Sequence, residues 1–332
     1  MRIGKKTIAV STVAILCVAV AAVCAWRLMP ATAREMDGAQ LVVERTSWHE
    51  ICADGRPVLY FDDMRGDTVA LGVTANRDSA THVDQMAGCW ADEYFLVPSC
   101  RGRVVCVDRR RPRKMAFGSG MNAIDICRRS VETQLQTLGY QKSELDYYIR
   151  VHGVQDNGYQ QIAVLAQKVD AAYRDVMRAK SIVDSLAKAG NVKLTVRSHN
   201  SYTAVYHADG KVCRTQMHMV RSDEHGALTL LQTADHATPD GVKAARIAPW
   251  SFKFGRDVCC TGIGGLGEDG LACDTVWPTV VPGHVSAAGK HDFPRVLATD
   301  GCAVYSLRGR FVGMICGDSV LSRRQLRNLL KK

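Results

Sequence analysis

The stretch from residue 279 to residue 318, TVVPGHVSAAGKHDFPRVLATDGCAVYSLRGRFVGMICGD, constrains the fold more than any other. It reads as three short β-runs. Val280 and Val281 lead through a turn at Gly283 to Val285–Ala288, followed by Ala303–Tyr305 and Phe311–Ile315. The last two are joined by Leu307–Gly309, and two β-rich runs separated by a few residues that include glycine signal a hairpin. A chain carrying this pattern builds an antiparallel sheet near its C-terminus.

Further β-runs lie upstream: Pro57–Phe61, Thr68–Val73, Tyr94–Val97, Val104–Val107, Val192–Val196, Ala204–Tyr206 and Cys213–Val220, the last two joined by the tight turn Ala208–Lys211. Between Met121 and Gly190 the period changes from two to the helical one. Ile162, Leu165, Val169, Ala172, Val176, Ala179, Val183 and Leu186 recur at spacings of three and four, and Gly190 supplies a stop. Such a helix of ~30 residues is about 45 Å long. Ala123–Leu138 is its natural partner, Ser143 reads as the cap of a short helix through Val151, and the pair makes a helical hairpin whose stripe also suits self-association. At the end, Ser322 and Gln325 form a capping box for a helix whose apolar side is Leu326, Leu329 and Leu330, with Arg323, Arg324, Arg327 and Lys331 expected to face solvent.

At the N-terminus, Arg2, Lys5 and Lys6 precede the uncharged run Ile8–Ala25, close to the ~20 residues that cross a bilayer. This predicts a single membrane-spanning anchor over 1–27 with the bulk of the chain on the non-cytoplasmic (periplasmic or extracellular) side, followed by a polar linker over 28–47. The alternative is secretion after cleavage near Ala33, at Ala31-Thr32-Ala33. Of thirteen cysteines, eleven lie outside the apolar run, an odd number, and no CxxC spacing occurs. No metal or other cofactor is therefore expected, and most cysteines read as small buried hydrophobes. The net charge of +10 suits an anionic partner. Without a zinc-finger or aromatic RNA-binding signature, nucleic acid is not expected to be that partner.

Five segments, taken in order, resemble a trypsin-like peptidase domain of the HtrA type. TVVPGHVSAAG is similar to the TVTxGxVSxxG strand pair of that family, and DGCAVYSLRGRFVGMI to its GNSGGPLxNxxGxVxGI. GCWADEYFLVPSCRGRVVCVDRR resembles the GxGFFV strand followed by VVTNxHV, ALTLL resembles D-L-A-L-L, and Gly255–Gly264 resembles the segment before TVxxGxVS. The resemblance implies a mainly β fold with an α insertion: a trypsin-like double antiparallel β-barrel, its first half over 48–120, the helical hairpin inserted at 121–190, and its second half with a closing helix over 191–332.

The same alignment implies a degenerate triad. The histidine position falls on Arg109, or on Asp108 if the register slips by one; the aspartate position falls on Ala227, and the nucleophile position on Asp300. Loss of one member costs orders of magnitude in rate, so serine peptidase activity is not expected. The glycine that opens the oxyanion turn is replaced by Ala298, and Gly317–Ser319 is a decoy GDS expected to have no return strand after it. Two alternatives remain open. One is an active cysteine or serine endopeptidase, with Cys302 as nucleophile and His82 as its base; the other is a scaffold acting through the helical hairpin. Under the main reading an extended peptide or exported protein pairs with Ile315, Cys316, Gly317 and Asp318, as substrate backbone does in the family. The loop Arg109, Arg110, Arg111, Pro112, Arg113, Lys114 offers an anion-binding patch beside it.

Overall fold

The computed structural model describes residues 15–22, 25, 29, 31–62, 64–65, 68–69, 72–91, 101–108, 123–189, 192–223, 228–245, 254–263, 266 and 278–330. In chain order its elements are α1 (Ala33–Ala39), β1 (Gln40–Ala53), β2 (Arg56–Phe61), β3 (Met64–Arg65), β4 (Thr68–Val69), β5 (His82–Trp90), β6 (Arg103–Val107), α2 (Ala123–Val151), α3 (Tyr159–Ala189), β7 (Leu194–Ala208), β8 (Lys211–Ser222), β9 (Leu228–Thr233), β10 (Arg256–Gly262), β11 (Thr279–Val285), β12 (Ala303–Ser306), β13 (Phe311–Cys316), β14 (Ser319–Ser322) and α4 (Arg323–Leu330). Two compact units share them. The first holds Met1–Arg45, Asp84–Arg111 and Ser201–Lys332; the second holds Thr46–Val83 and Pro112–Asn200.

The first unit contains a closed barrel of six strands in the ring β1-β5-β6-β9-β8-β7, with β7 returning to β1. Its interior follows the two-residue period of a strand: Leu41 and Val43, Met86 and Trp90, Val104 and Cys106, Tyr202, Ala204 and Tyr206 all point inward. Gly88 shares that face because a Cβ there would meet Val43 and Val104 at 2.9 and 3.0 Å. The other faces of β5, β6 and β9 are also covered, by Tyr305, Phe311, Met314, Leu326 and their neighbours. Burial on both faces explains why VVCV and LTLLQT read as unbroken runs rather than alternating ones. The β7–β8 hairpin turns at Asp209 and Gly210, both at positive φ (49° and 75°), as a two-residue turn of the I′ kind requires.

The second sheet runs β11-β10-β12-β13-β14. Single bridges, Val285 with His291 and Lys290 with Ser319, link its outer strands. Gln40 ties sheet to barrel: its amide donates to the Gly88 and Gly301 carbonyls (2.8 and 3.3 Å), and its Oε1 accepts from Ala303 N and Thr261 Oγ1 (2.9 and 2.8 Å). Every donor and acceptor on that buried side chain is engaged. α4 starts as expected, Ser322 N donating to Gln325 Oε1 at 2.9 Å, and it buries Leu326 and Leu329. Arg323 is buried too, contrary to the solvent-facing reading.

In the second unit, the later residues of β1 pair with β2, from His49 opposite Phe61 to Ala53 opposite Arg56. Ile51, Leu59, Phe61 and Val73 pack with Ile126, Cys127 and Val131 of α2 and Val176, Ala179 and Val183 of α3. α2 is one helix through Gly139, not two. Ser143 is inside it, its hydroxyl donating back to the Gly139 carbonyl at 3.0 Å instead of capping a new start.

Several expectations need correction. Among the described residues no helix is long and apolar enough to cross a membrane. Residues 15–22 of the apolar run are helical. The N-terminal transmembrane helix and the single-pass membrane location are therefore not supported. The 28–47 segment is no plain polar linker, since it includes α1 and the first residues of β1; Thr32 caps α1 in a reciprocal pair with Glu35. β7, β8 and β9, placed by sequence in the second half, complete the first barrel instead. In place of a second closed barrel, the described residues form a five-stranded sheet. A return strand does follow Gly317, because β14 pairs with β13 from Cys316–Ser319 to Gly313–Ser322. The strand expected at Tyr94–Val97 lies outside the described residues.

Candidate functional site

The nucleophile position sits on the turn that enters β12. Pro294 starts the approach, and its carbonyl accepts from the amides of both Leu297 and Ala298 (3.0 and 2.9 Å). Gly301 then takes φ +93°, and an added Cβ would lie 1.9 Å from the Ala87 carbonyl oxygen. Only glycine fits so close to β5 in that conformation. Gly301 N donates to the Ile315 carbonyl and Ile315 N to the Cys302 carbonyl, each at 2.9 Å, so the turn is bonded along β13.

Asp300 occupies the position aligned with the serine. Its Oδ1 accepts from the Gly317 amide at 2.5 Å. The Gly317 carbonyl in turn meets His291 Nε2 at 2.7 Å, and the His291 amide donates to the Asp318 carbonyl at 3.1 Å. Arg295 pairs with the Asp318 carboxylate at 2.9 Å on the surface. An oxyanion hole needs backbone N–H groups aimed at an empty place where charge will develop. The Ala298 amide, aligned with the first glycine of the oxyanion turn, is already bonded to Pro294.

The same bonds occupy the stretch expected to receive a peptide. Ile315 and Cys316 pair with Val320 and Ser319 on one side, Ile315 also bonds across to Cys302, and Gly317 has both main-chain groups engaged. Gly317, at φ 62°, is a turn residue, and β13 lies between β12 and β14. Among the described residues, the backbone from Ile315 to Gly317 is already paired, which disfavours addition of a further strand there.

Cys302 is fully buried, its sulfur 3.7 Å from Thr299 Oγ1, and burial pushes its thiol above the ordinary range. A cysteine nucleophile needs the reverse: partial exposure and a lowered value. His82 opens β5 as an exposed residue of the second unit. Cys106, Cys127 and Cys260 are likewise buried thiols pushed up by desolvation, Cys127 to about 12. Arg109, the Arg109–Lys114 basic loop and Ala227 lie outside the described residues.

Sequence reasoning missed one cluster entirely. Continuing the inward period of β1, β5 and β6 leads to Arg45, Asp84 and Asp108, and the three meet inside the barrel. Arg45 Nη1 donates to Asp108 Oδ1 at 2.6 Å, its Nη2 to Asp84 Oδ2, and Tyr202 Oη to Asp108 Oδ2 at 3.3 Å. Side-chain exposure of Arg45 and Asp108 is 2% and 1%, so the pair is shielded from water. Desolvation is the largest influence on Asp108 and raises its pKa against the opposing pull of Arg45 and Tyr202. Asp108 is the residue that a one-step slip would put at the histidine position. As a buried, doubly bonded carboxylate it is a structural member of the barrel wall. The signal was present in the spacing 41, 43, 45, but a charged residue on an inward face reads as a break in the pattern.

No protein-family model matches the sequence, and neither does any curated protein sequence. Among solved structures, the apo protease domain of MamO from Magnetospirillum magneticum is similar over 40% of this chain and 76% of that one, with 14% identity and a TM-score of 0.30. A likeness at that level carries no argument about what this chain does.

Proposed function

We propose that the protein is a trypsin-like peptidase homologue that does not cleave peptides and works by binding a protein partner. One observation carries the first half: the position aligned with the nucleophile holds a carboxylate bonded to the Gly317 amide, beside an Ala298 amide bonded to Pro294. The site has neither a nucleophile nor the donor expected from the opening glycine, and the two losses reinforce each other. The order of the family-like segments and the closed six-stranded barrel support the trypsin-like part.

For the partner, the scaffold alternative is favoured over strand capture at Ile315–Asp318, because that segment's backbone is occupied. Along α2, α3 and the segment that joins them, Tyr140, Tyr147, Val151, Val154, Val164 and Leu165 are each at least half exposed. Apolar side chains gathered in one region mark an interaction surface more than scattered ones do. The test combines a fluorophosphonate probe with affinity capture. The full chain is expected to stay unlabelled, and the Tyr147→Ser/Leu165→Ser variant to lose the partners that wild type retains. Labelling of a specific serine would overturn the inactive reading; unchanged capture by the variant would overturn the hairpin reading.

A further inference from the structure

Two histidines from different segments meet on the outside of the barrel in the first unit, and nothing above uses them. On β8 the side chain of Met217 fills the barrel, so by the two-residue period of a strand its neighbour His218 points outward, where it is exposed. His218 stands opposite Gln232, and Met217 opposite Thr233, the last residue of β9. The chain then turns at once. His236 N donates to the Thr233 carbonyl at 3.2 Å, Thr233 Oγ1 to the Ala237 carbonyl at 2.9 Å, and the Ala237 amide to Asp235 Oδ1 at 3.1 Å. These bonds fix the turn that holds His236 at φ 55° and brings its exposed ring back to His218.

The two ring centroids lie 5.4 Å apart, with the planes at 71°. A ring nitrogen sits about 1.1 Å from its centroid, so a metal ~2.0–2.1 Å from one nitrogen of each ring, at a tetrahedral angle, sets the centroids roughly 5.2 Å apart. The pair is therefore already spaced for one shared ion. Converging the two nitrogens takes rotation about χ2, which is a broad torsion in histidine, and no movement of the backbone. One ring stands on a paired strand and the other on a bonded turn, so the spacing is built into the fold. The Asp235 carboxyl, held below the ordinary range first of all by the Ala237 amide, adds negative charge beside His236.

We propose that His218 and His236 form a surface site for a late first-row divalent cation, Ni²⁺, Cu²⁺ or Zn²⁺, bound through one nitrogen of each imidazole. Imidazole suits these ions, whereas Mg²⁺ and Ca²⁺ take oxygen ligands. Among the described residues no group of three histidines, cysteines or carboxylates is placed to hold a metal, so the two rings work with water in the remaining positions. Such an open site suits an exchangeable ion rather than a closed structural one. The two residues come from a strand and a turn with no motif spacing between them, which is why the lack of a CxxC pattern does not bear on this site. It shares no residue with the positions aligned to the triad or with the helical hairpin, so it stands or falls apart from the peptidase reading.

The test titrates the full chain with NiCl₂ by calorimetry at pH 7.5, beside His218→Asn, His236→Asn and a competition with excess MgCl₂. Asparagine suits position 236 because it tolerates a left-handed φ, and the two changes lie on separate segments, so a folding defect in one leaves the other informative. Thiols and other histidines contribute alike to all three chains, and the readout is the difference between them. Wild type is expected to bind about one equivalent of Ni²⁺ more than either variant, and Mg²⁺ not to displace it. Loss of either ring should weaken that equivalent at least about 100-fold, since losing even an outer partner of a metal ligand costs ~10–100-fold. Zn²⁺ supplies a second readout in NMR, where the ring proton signals of His218 and His236 should shift together with a single midpoint. An equivalent lost from both variants together with the joint shift supports the proposal. No Ni²⁺ difference between wild type and the variants, binding retained in either variant, displacement by Mg²⁺, or ring signals that shift at separate midpoints overturns it.

Discussion

Replacing Arg45 by Met should destabilise the barrel by about 3–5 kcal/mol at pH 7.5, the usual cost of removing one partner from a buried ion pair. The volume change is small, so nearly all of the effect comes from Asp84 and Asp108 losing the Arg45 guanidinium that they share. Cys106 gives a direct readout because it lies within the barrel and is fully buried, reacting only when the barrel opens. With a urea slope of 1–3 kcal/mol/M, the midpoint of Cys106 labelling should fall by roughly 2 M. The pH dependence has a definite sign. Burial raises the Asp108 pKa above its value in the unfolded chain, so the folded state holds that proton more tightly. Its contribution to stability is full below about 3.9 and is lost as pH rises through the folded value. Without Arg45 the folded value rises further, and the variant should lose more stability than wild type as pH rises above about 3.9. Adding Asp84→Asn and Asp108→Asn should recover most of the loss. A single Arg45→Met variant within 1 kcal/mol of wild type at pH 7.5, with an unchanged pH profile, would refute the reasoning.

Leu326→Asp should lower the thermal stability of the first unit by the equivalent of at least about 3 kcal/mol, since Leu326 is 0% exposed on the docked side of α4; differential scanning calorimetry measures it. Iodoacetamide at pH 8 should modify Cys17 and Cys213 in the native chain but leave Cys106, Cys127, Cys260 and Cys302 unreacted until denaturant is added, as peptide mapping would report.

How far the fold could be read from the residues depended on which force set each element. Where burial is one-sided the pattern was plain: Val169, Val176, Ala179 and Val183 keep helical spacing, and the Asp209-Gly210 turn carries its own φ requirement. β1 was missed because its outer positions are covered as well, and because Arg45, Ser47 and His49 sit on buried positions where a polar residue ordinarily marks the solvent face. Assigning β7–β9 to the wrong half has a different cause. Strand partnership across a 70-residue insertion is set by non-local pairing, which no local period encodes. For the site, the aligned residues were readable but their bonding was not: nothing in ATDGC states that Asp300 reaches Gly317 or that Ala298 bonds to Pro294.

That bonding makes a simple restoration experiment informative. Ala298→Gly with Asp300→Ser returns the family's residues at two aligned positions, and by sequence logic alone it would begin to rebuild the site. The structure argues otherwise. Glycine at 298 keeps an amide still placed on the Pro294 carbonyl, and serine at 300 cannot replace the charged acceptor that holds Gly317 N–H. A hydrogen bond to a charged group contributes ~1.5–3 kcal/mol, and the two changes together should cost about that much stability while creating no oxyanion donor. The expected result is a double variant that unfolds earlier, exchanges its Gly317 amide faster, and does not react with fluorophosphonate. Labelling of Ser at position 300 would mean that the turn can release its amides when substrate-like charge is present. The loss of activity would then rest on the side chains alone, and the bonded turn described above would be a consequence of Asp300 rather than a second barrier to catalysis.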